Sequence, residues 1–136
     1  MLSQSRAGPP LAAGPQTTPT PSGTVSVKQN LFSRIPSKLR DERIDELVAS
    51  PGLRIERIVS TGHASPPGFR SDQPGSEWVV VLSGSAGLLI EGEARPRELR
   101  AGDYLLLPPH QRHRVEWTDA HVPTVWLVVH YGPNLC

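Results

Sequence analysis

Two stretches decide how this chain folds: Glu77-Trp78-Val79-Val80-Val81-Leu82-Ser83-Gly84 and Gly102-Asp103-Tyr104-Leu105-Leu106-Leu107-Pro108-Pro109-His110-Gln111-Arg112-His113. Each is an apolar run of strand length, with Gly or Pro marking the turn and one ionisable side chain at an end. Successive side chains of a strand point to opposite faces, so Glu77 shares a face with Val79 and Val81. By the same rule His113 shares a face with Val115 and Trp117, and Arg112, Arg114 and Glu116 take the other. A carboxylate and an imidazole are thereby aimed at apolar surface. An unpaired buried charge is costly, which favours a partner: an arginine, a hydrogen bond or a metal. Read alone, Glu77 also suits an exposed strand end, and His113 a hydrogen-bonded core position.

The same pattern extends on both sides. Short apolar runs recur at 53–59, 79–82, 88–90, 104–107, 115–117 and 125–129, separated by Ser83-Gly84-Ser85, Glu91-Gly92-Glu93, Ala101-Gly102-Asp103 and Pro108-Pro109. Strands at such spacing with turn residues between them predict an all-β sandwich or small antiparallel barrel. No helices intervene to build a parallel α/β sheet. The 125–129 run, Val-Trp-Leu-Val-Val, is apolar on both faces, which places it either at the centre of a sheet or at an interface.

Upstream the character changes. One short N-terminal helix is expected over 38–49, with Ser37 as its cap, Asp41 and Glu42 near its positive end, and Leu39, Ile44, Leu47 and Val48 as its apolar side. Residues 1–28 are rich in Pro, Gly, Ser, Thr and Ala and have few side chains to bury, so a disordered tail is expected there. The ordered domain is then 29–136.

The chain has 136 residues, enough for one domain. Its net charge is +1, with basic residues scattered among acids, which gives no footing for a nucleic-acid partner. No apolar run approaches the ~20 residues that span a membrane, and no secretory leader is evident, so a cytoplasmic location is expected. The single cysteine, Cys136, cannot form an internal disulfide. No P-loop, dinucleotide fingerprint, G-x-S-x-G or cysteine-based zinc pattern is present.

The residues from Glu77 to Gly84 match Glu-(x)6-Gly, the second half of the first cupin motif, G-(x)5-H-x-H-(x)3-4-E-(x)6-G. The second stretch, Gly102-(x)5-Pro108-x-His110-(x)2-His113, is similar to the second motif, G-(x)5-P-x-G-(x)2-H-(x)3-N. The chain therefore resembles a small single-domain cupin over about 53–131. That resemblance implies a small antiparallel barrel or jelly roll with metal ligands from both motifs at its mouth, and Glu77 and His113 carry over as two of the usual four. The first motif's histidines fall on Ser71 and Gln73, or on Arg70 and Asp72 with the longer gap. His110 replaces the second motif's glycine, and Trp117 its asparagine.

Completion of the site then falls to neighbouring residues. Gln73 and His63 are the candidate additional ligands, with Asp72, Arg70, His110, Trp117 and His130 as residues of the pocket or its rim. The expected cofactor is a divalent cation such as Zn, Fe, Mn or Ni, and the expected partner a small molecule. Whether the chain is a metal-dependent enzyme, a ligand-binding sensor or a structural cupin with a degenerate site stays open. A homodimer is expected, because cupin relatives often pair through edge strands and an open edge is otherwise an aggregation hazard.

Overall fold

The computed structural model describes residues 23–133. Eight strands run in antiparallel order: β1 (Arg43–Ser50), β2 (Leu53–Ser60), β3 (Ser76–Ser83), β4 (Ser85–Ile90), β5 (Arg97–Arg100), β6 (Tyr104–Leu107), β7 (His113–Thr118) and β8 (Thr124–Tyr131). They form a five-stranded sheet of order β1-β2-β8-β3-β6 and a three-stranded sheet of order β5-β4-β7. The two sheets enclose one core of Ile58, Val79, Val81, Ala86, Leu88, Ile90, Leu99, Leu107, Val115, Trp126 and Val128. This is the all-β antiparallel architecture that the alternating runs predict, in the jelly-roll form that the cupin resemblance implies. No helix among the described residues is long and apolar enough to cross a membrane.

Register decides which side chains face that core. Glu77 lies opposite His130 on β8 and Leu107 on β6, and His130 lies opposite Arg54 on β2. Opposed residues share a face, so Arg54, His130, Glu77 and Leu107 form one inward row. The next row holds Glu56, Val128, Val79 and Leu105. Below it the interior is apolar. The polar row thus caps one end of the sandwich. The doubly apolar run 125–129 lies within β8, which is central, between β2 and β3.

The helix expected over 38–49 does not form. Residues 43–50 are strand β1, paired with β2 from Arg43↔Val59 to Ser50↔Leu53. A register shift between Glu46 and Val48 marks a bulge at Leu47. One extra residue breaks the period-two pattern and leaves Ile44, Leu47 and Val48 at spacings that imitate a helix. What selects the strand is a buried charge pair across it. Asp45 accepts from Arg57 Nη2 at 2.6 Å and Nε at 3.1 Å, and from Arg43 Nε at 3.1 Å. Arg57 Nη1 also donates to the carbonyls of Leu31 (2.9 Å) and Ser33 (2.7 Å), strapping that segment over the sheet's outer face. Strand β5, Arg-Glu-Leu-Arg, went unpredicted because only Leu99 of its four residues is buried. Of the tail expected over 1–28, residues 1–22 lie outside the described residues and 23–28 are exposed.

Gly84 alone joins β3 to β4, at φ +81°. A Cβ there would stand 2.6 Å from Thr124 Cα and 2.8 Å from the Pro123 carbonyl oxygen. The glycine at the end of the first stretch is therefore required twice, by conformation and by space.

Candidate functional site

His113 opens β7 and is 2 % exposed; Glu77, near the start of β3, is 2 % exposed. Alternation aimed both inward, and the structure places both there. The Nδ1 of His113 lies 2.7 Å from the Gln111 carbonyl oxygen. A carbonyl only accepts, so Nδ1 carries the proton and Nε2 presents a lone pair. That Nε2 is buried without a hydrogen-bond partner among the described residues and stands 3.6 Å from Glu77 Oε1. The gap is too long for a hydrogen bond. It is close to the roughly 3.4 Å that separates two ligand atoms each about 2.1 Å from one tetrahedral cation. A backbone carbonyl holding Nδ1–H is also how metal-binding histidines are oriented.

Ser71 pairs with His113 through an isolated antiparallel bridge, with backbone bonds of 2.7 and 3.2 Å. Its side chain consequently shares the His113 face and is buried. Gln73, two residues on, is half-buried, and its Nε2 reaches Ser71 Oγ at 3.5 Å. The two residues that stand where the cupin motif has histidines are thus brought alongside His113. They offer neutral oxygens in place of imidazoles. Among the described residues no three of His, Cys, Asp and Glu converge as a metal-binding group. Glu77 and His113, with the neutral oxygens of Ser71 and Gln73 on the adjoining segment, are the residues here that could hold a cation.

Burial depresses the His113 imidazole to a pKa of about 4, against the opposing pull of the Glu77 carboxylate and the Gln111 carbonyl. At neutral pH the ring is therefore neutral, the form that binds metals. The unfolded chain protonates this histidine near 6.5, so between about 4 and 6.5 the unfolded state holds more protons and stability rises with pH. As pH falls through that window, roughly 3 kcal/mol at most is expected to be lost on this account. Denaturant titrations at pH 4.5 and 7.5 check it: His113→Gln should show a flatter dependence than the wild type, and equal slopes would refute the assignment.

The other residues expected at the site divide. His110 sits on the rim at φ +60°, in the left-handed conformation that the motif's glycine would take without strain. Its N–H donates to the Gln73 carbonyl at 2.7 Å, and its Nδ1 lies 2.8 Å from exposed Asp72 Oδ1, clasping the two motif segments together. Arg70 is half-buried, with Nη1 lacking a hydrogen-bond partner among the described residues.

Two expectations are corrected. His63 accepts from the Thr61 N–H at 2.9 Å through Nδ1 and donates through Nε2 to the Arg40 carbonyl at 3.0 Å, so both ring nitrogens are spent on backbone. Trp117 does not face inward, because β7 gains a residue between Val115↔Leu88 and Trp117↔Gly87. The bulge turns Trp117 outward, 38 % exposed, over Gly87, where an added Cβ would collide with its ring.

His130 is inward and buried, and its partner was not foreseen. Its Nε2 lies 3.0 Å from Glu56 Oε1, and Glu56 Oε2 lies 3.2 Å from Arg54 Nε. The available signal was parity: Arg54 and Glu56 alternate with Ile58, the inward residue of β2.

A jelly roll with an inward carboxylate from one motif and an inward imidazole from the other defines a protein class, and the chain belongs to the cupin family, whose Cupin domain matches residues 58–130. Among solved structures it is similar to a candidate mannose-6-phosphate isomerase from Ralstonia eutropha, 53% identical, covering 78% of this chain and 98% of that one, with a TM-score of 0.76. A cupin superfamily protein from Desulfitobacterium hafniense shares the fold at 16% identity, covering 71% of this chain and 83% of its own, with a TM-score of 0.59. A conserved protein of unknown function from Streptococcus pyogenes does so at 20% identity, covering 90% and 99%, with a TM-score of 0.64. The comparison with curated proteins returns no match.

Proposed function

We propose that this cupin binds a small molecule at a divalent cation held in the barrel mouth by Glu77 and His113, with Gln73 and Ser71 supplying neutral oxygens. The observation that carries the reading is the His113 Nε2 lone pair, buried, oriented by the Gln111 carbonyl and facing Glu77 across 3.6 Å. One imidazole, one carboxylate and neutral oxygens suit a first-row divalent ion such as Zn, Fe, Mn or Ni. When bound, such an ion supplies Lewis-acid polarisation of a coordinated oxygen. The chain's own residues orient and enclose: Gln111 fixes the ring, the Ser71–His113 bridge fixes the mouth, and the apolar rows beneath keep water out. The name of the Ralstonia relative makes sugar phosphates, mannose 6-phosphate first, the natural compounds to try.

The test is elemental analysis of protein purified without chelator. About one equivalent of a divalent metal is expected in the wild type and in His110→Ala, and none in His113→Ala. A metal-free wild type would favour a second reading, a cupin that binds its ligand without metal. The specific observation behind that alternative is that no third strong ligand converges among the described residues.

A further inference from the structure

Glu56 and His130 form a second buried carboxylate–imidazole pair. Both residues are 2 % exposed, and His130 faces inward in the same row as Glu77. A carboxylate 3.0 Å from Nε2 only accepts, so Nε2 carries a proton and donates it to Glu56. Arg54 Nε lies 3.2 Å from the other carboxylate oxygen and pairs with Glu56 from its far side. In the neutral ring the remaining nitrogen, Nδ1, is an acceptor. It is buried and has no hydrogen-bond partner among the described residues. Buried acceptors are nearly always satisfied, so an unmatched one on the polar row calls for a donor from whatever occupies the mouth.

Resting on the reading of the mouth as the binding site, we infer that Glu56 and His130 form its hydroxyl-reading wall: the ligand is a small hydroxylated molecule, a hydroxy acid or sugar derivative, whose O–H donates to His130 Nδ1. A carboxylate or ether at the same place presents only lone pairs to a lone pair and is rejected. Glu56 acts through His130 and is a positioning residue. Rejection of an analogue that lacks the hydrogen-bonding group is strong where the site's own polar group is then left unpaired.

The experiment uses the full chain with its metal content measured separately. Binding of glycolate, lactate and mannose 6-phosphate is followed by calorimetry, against methoxyacetate and 2-methoxypropionate as matched compounds without the donor. The wild type should prefer a hydroxy acid to its methoxy analogue by at least tenfold. His130→Phe should abolish that preference. His130→Asn, whose amide oxygen can take the place of Nδ1, should keep part of it. Glu56→Gln, a milder change that releases the tautomer, should weaken the preference even if His130→Phe does not fold. In imidazole nitrogen spectra the His130 Nδ1 resonance should move with lactate and stay put with 2-methoxypropionate. Equal binding of each pair, a preference that survives in His130→Phe, or no hydroxylated compound bound would overturn the inference. A metal-free wild type that still prefers hydroxy acids would overturn only the cation reading.

Discussion

Asp45→Ala is expected to destabilise the protein by about 3–5 kcal/mol, the usual loss when one partner of a buried ion pair is removed. The carboxylate is buried, and it neutralises Arg57 through bonds of 2.6 and 3.1 Å and Arg43 through bonds of 3.1 and 3.3 Å. Removing it leaves Arg57, itself 7 % exposed, with backbone carbonyls as acceptors but no compensating charge. The loss should spread to the chain segment at Leu31 and Ser33, whose carbonyls Arg57 holds. Denaturant unfolding measures the total, and limited proteolysis reads the release of that segment. A cost under about 1 kcal/mol would mean that water reaches the pair and that it behaves as a surface salt bridge.

Gly84→Ala should be comparably severe, for a different reason. Any L-residue at φ +81° is strained by about 1–2 kcal/mol. Here the new methyl also meets backbone, Thr124 Cα at 2.6 Å and Pro123 O at 2.8 Å, which no side-chain rotation relieves. Thr124 cannot withdraw freely, since its hydroxyl donates to the Ser85 carbonyl at 3.0 Å. A total loss of at least about 3 kcal/mol is expected, in the range of overpacked cores plus backbone strain. Gly102→Ala is the control: its φ is +93°, but nothing lies within 4 Å of the added Cβ, so only the conformational share should appear. Equal losses at the two sites would show that the close approach at Thr124 is not felt.

What could be read without coordinates follows from where the strands are regular. From Glu77 to Val81 alternation is unbroken, and the inward direction of Glu77 follows from it directly. His113 and Val115 are equally regular, but the extra residue in β7 just after them reverses Trp117. The bulge at Leu47 did the same to β1 and passed for a helix. Bulges insert one residue without any compositional mark, so parity arguments fail downstream of them. The Glu56–His130 contact was hidden for a second reason. It joins residues on strands that only the sheet order brings together, and nothing local in either run names the other. His63 shows the reverse case: a ligand-type residue near the motif whose ring is used by its own loop and by Arg40.

The place of β8 in the five-stranded sheet carries a consequence for how the molecule comes into being. This strand lies between β2 and β3, and its contact with Glu56 closes a separation of 74 positions. During synthesis β2 and β3 emerge with the edges that will face each other's shared neighbour still bare. Pairing so distant along the chain is slow to nucleate, and bare apolar edges in the interval are where chains associate wrongly. A chain that ends before Thr124 would therefore hold a smaller sheet that can pair and a larger one split into the separate pairs β1-β2 and β3-β6, a state for a chaperone to shield rather than a half-finished barrel.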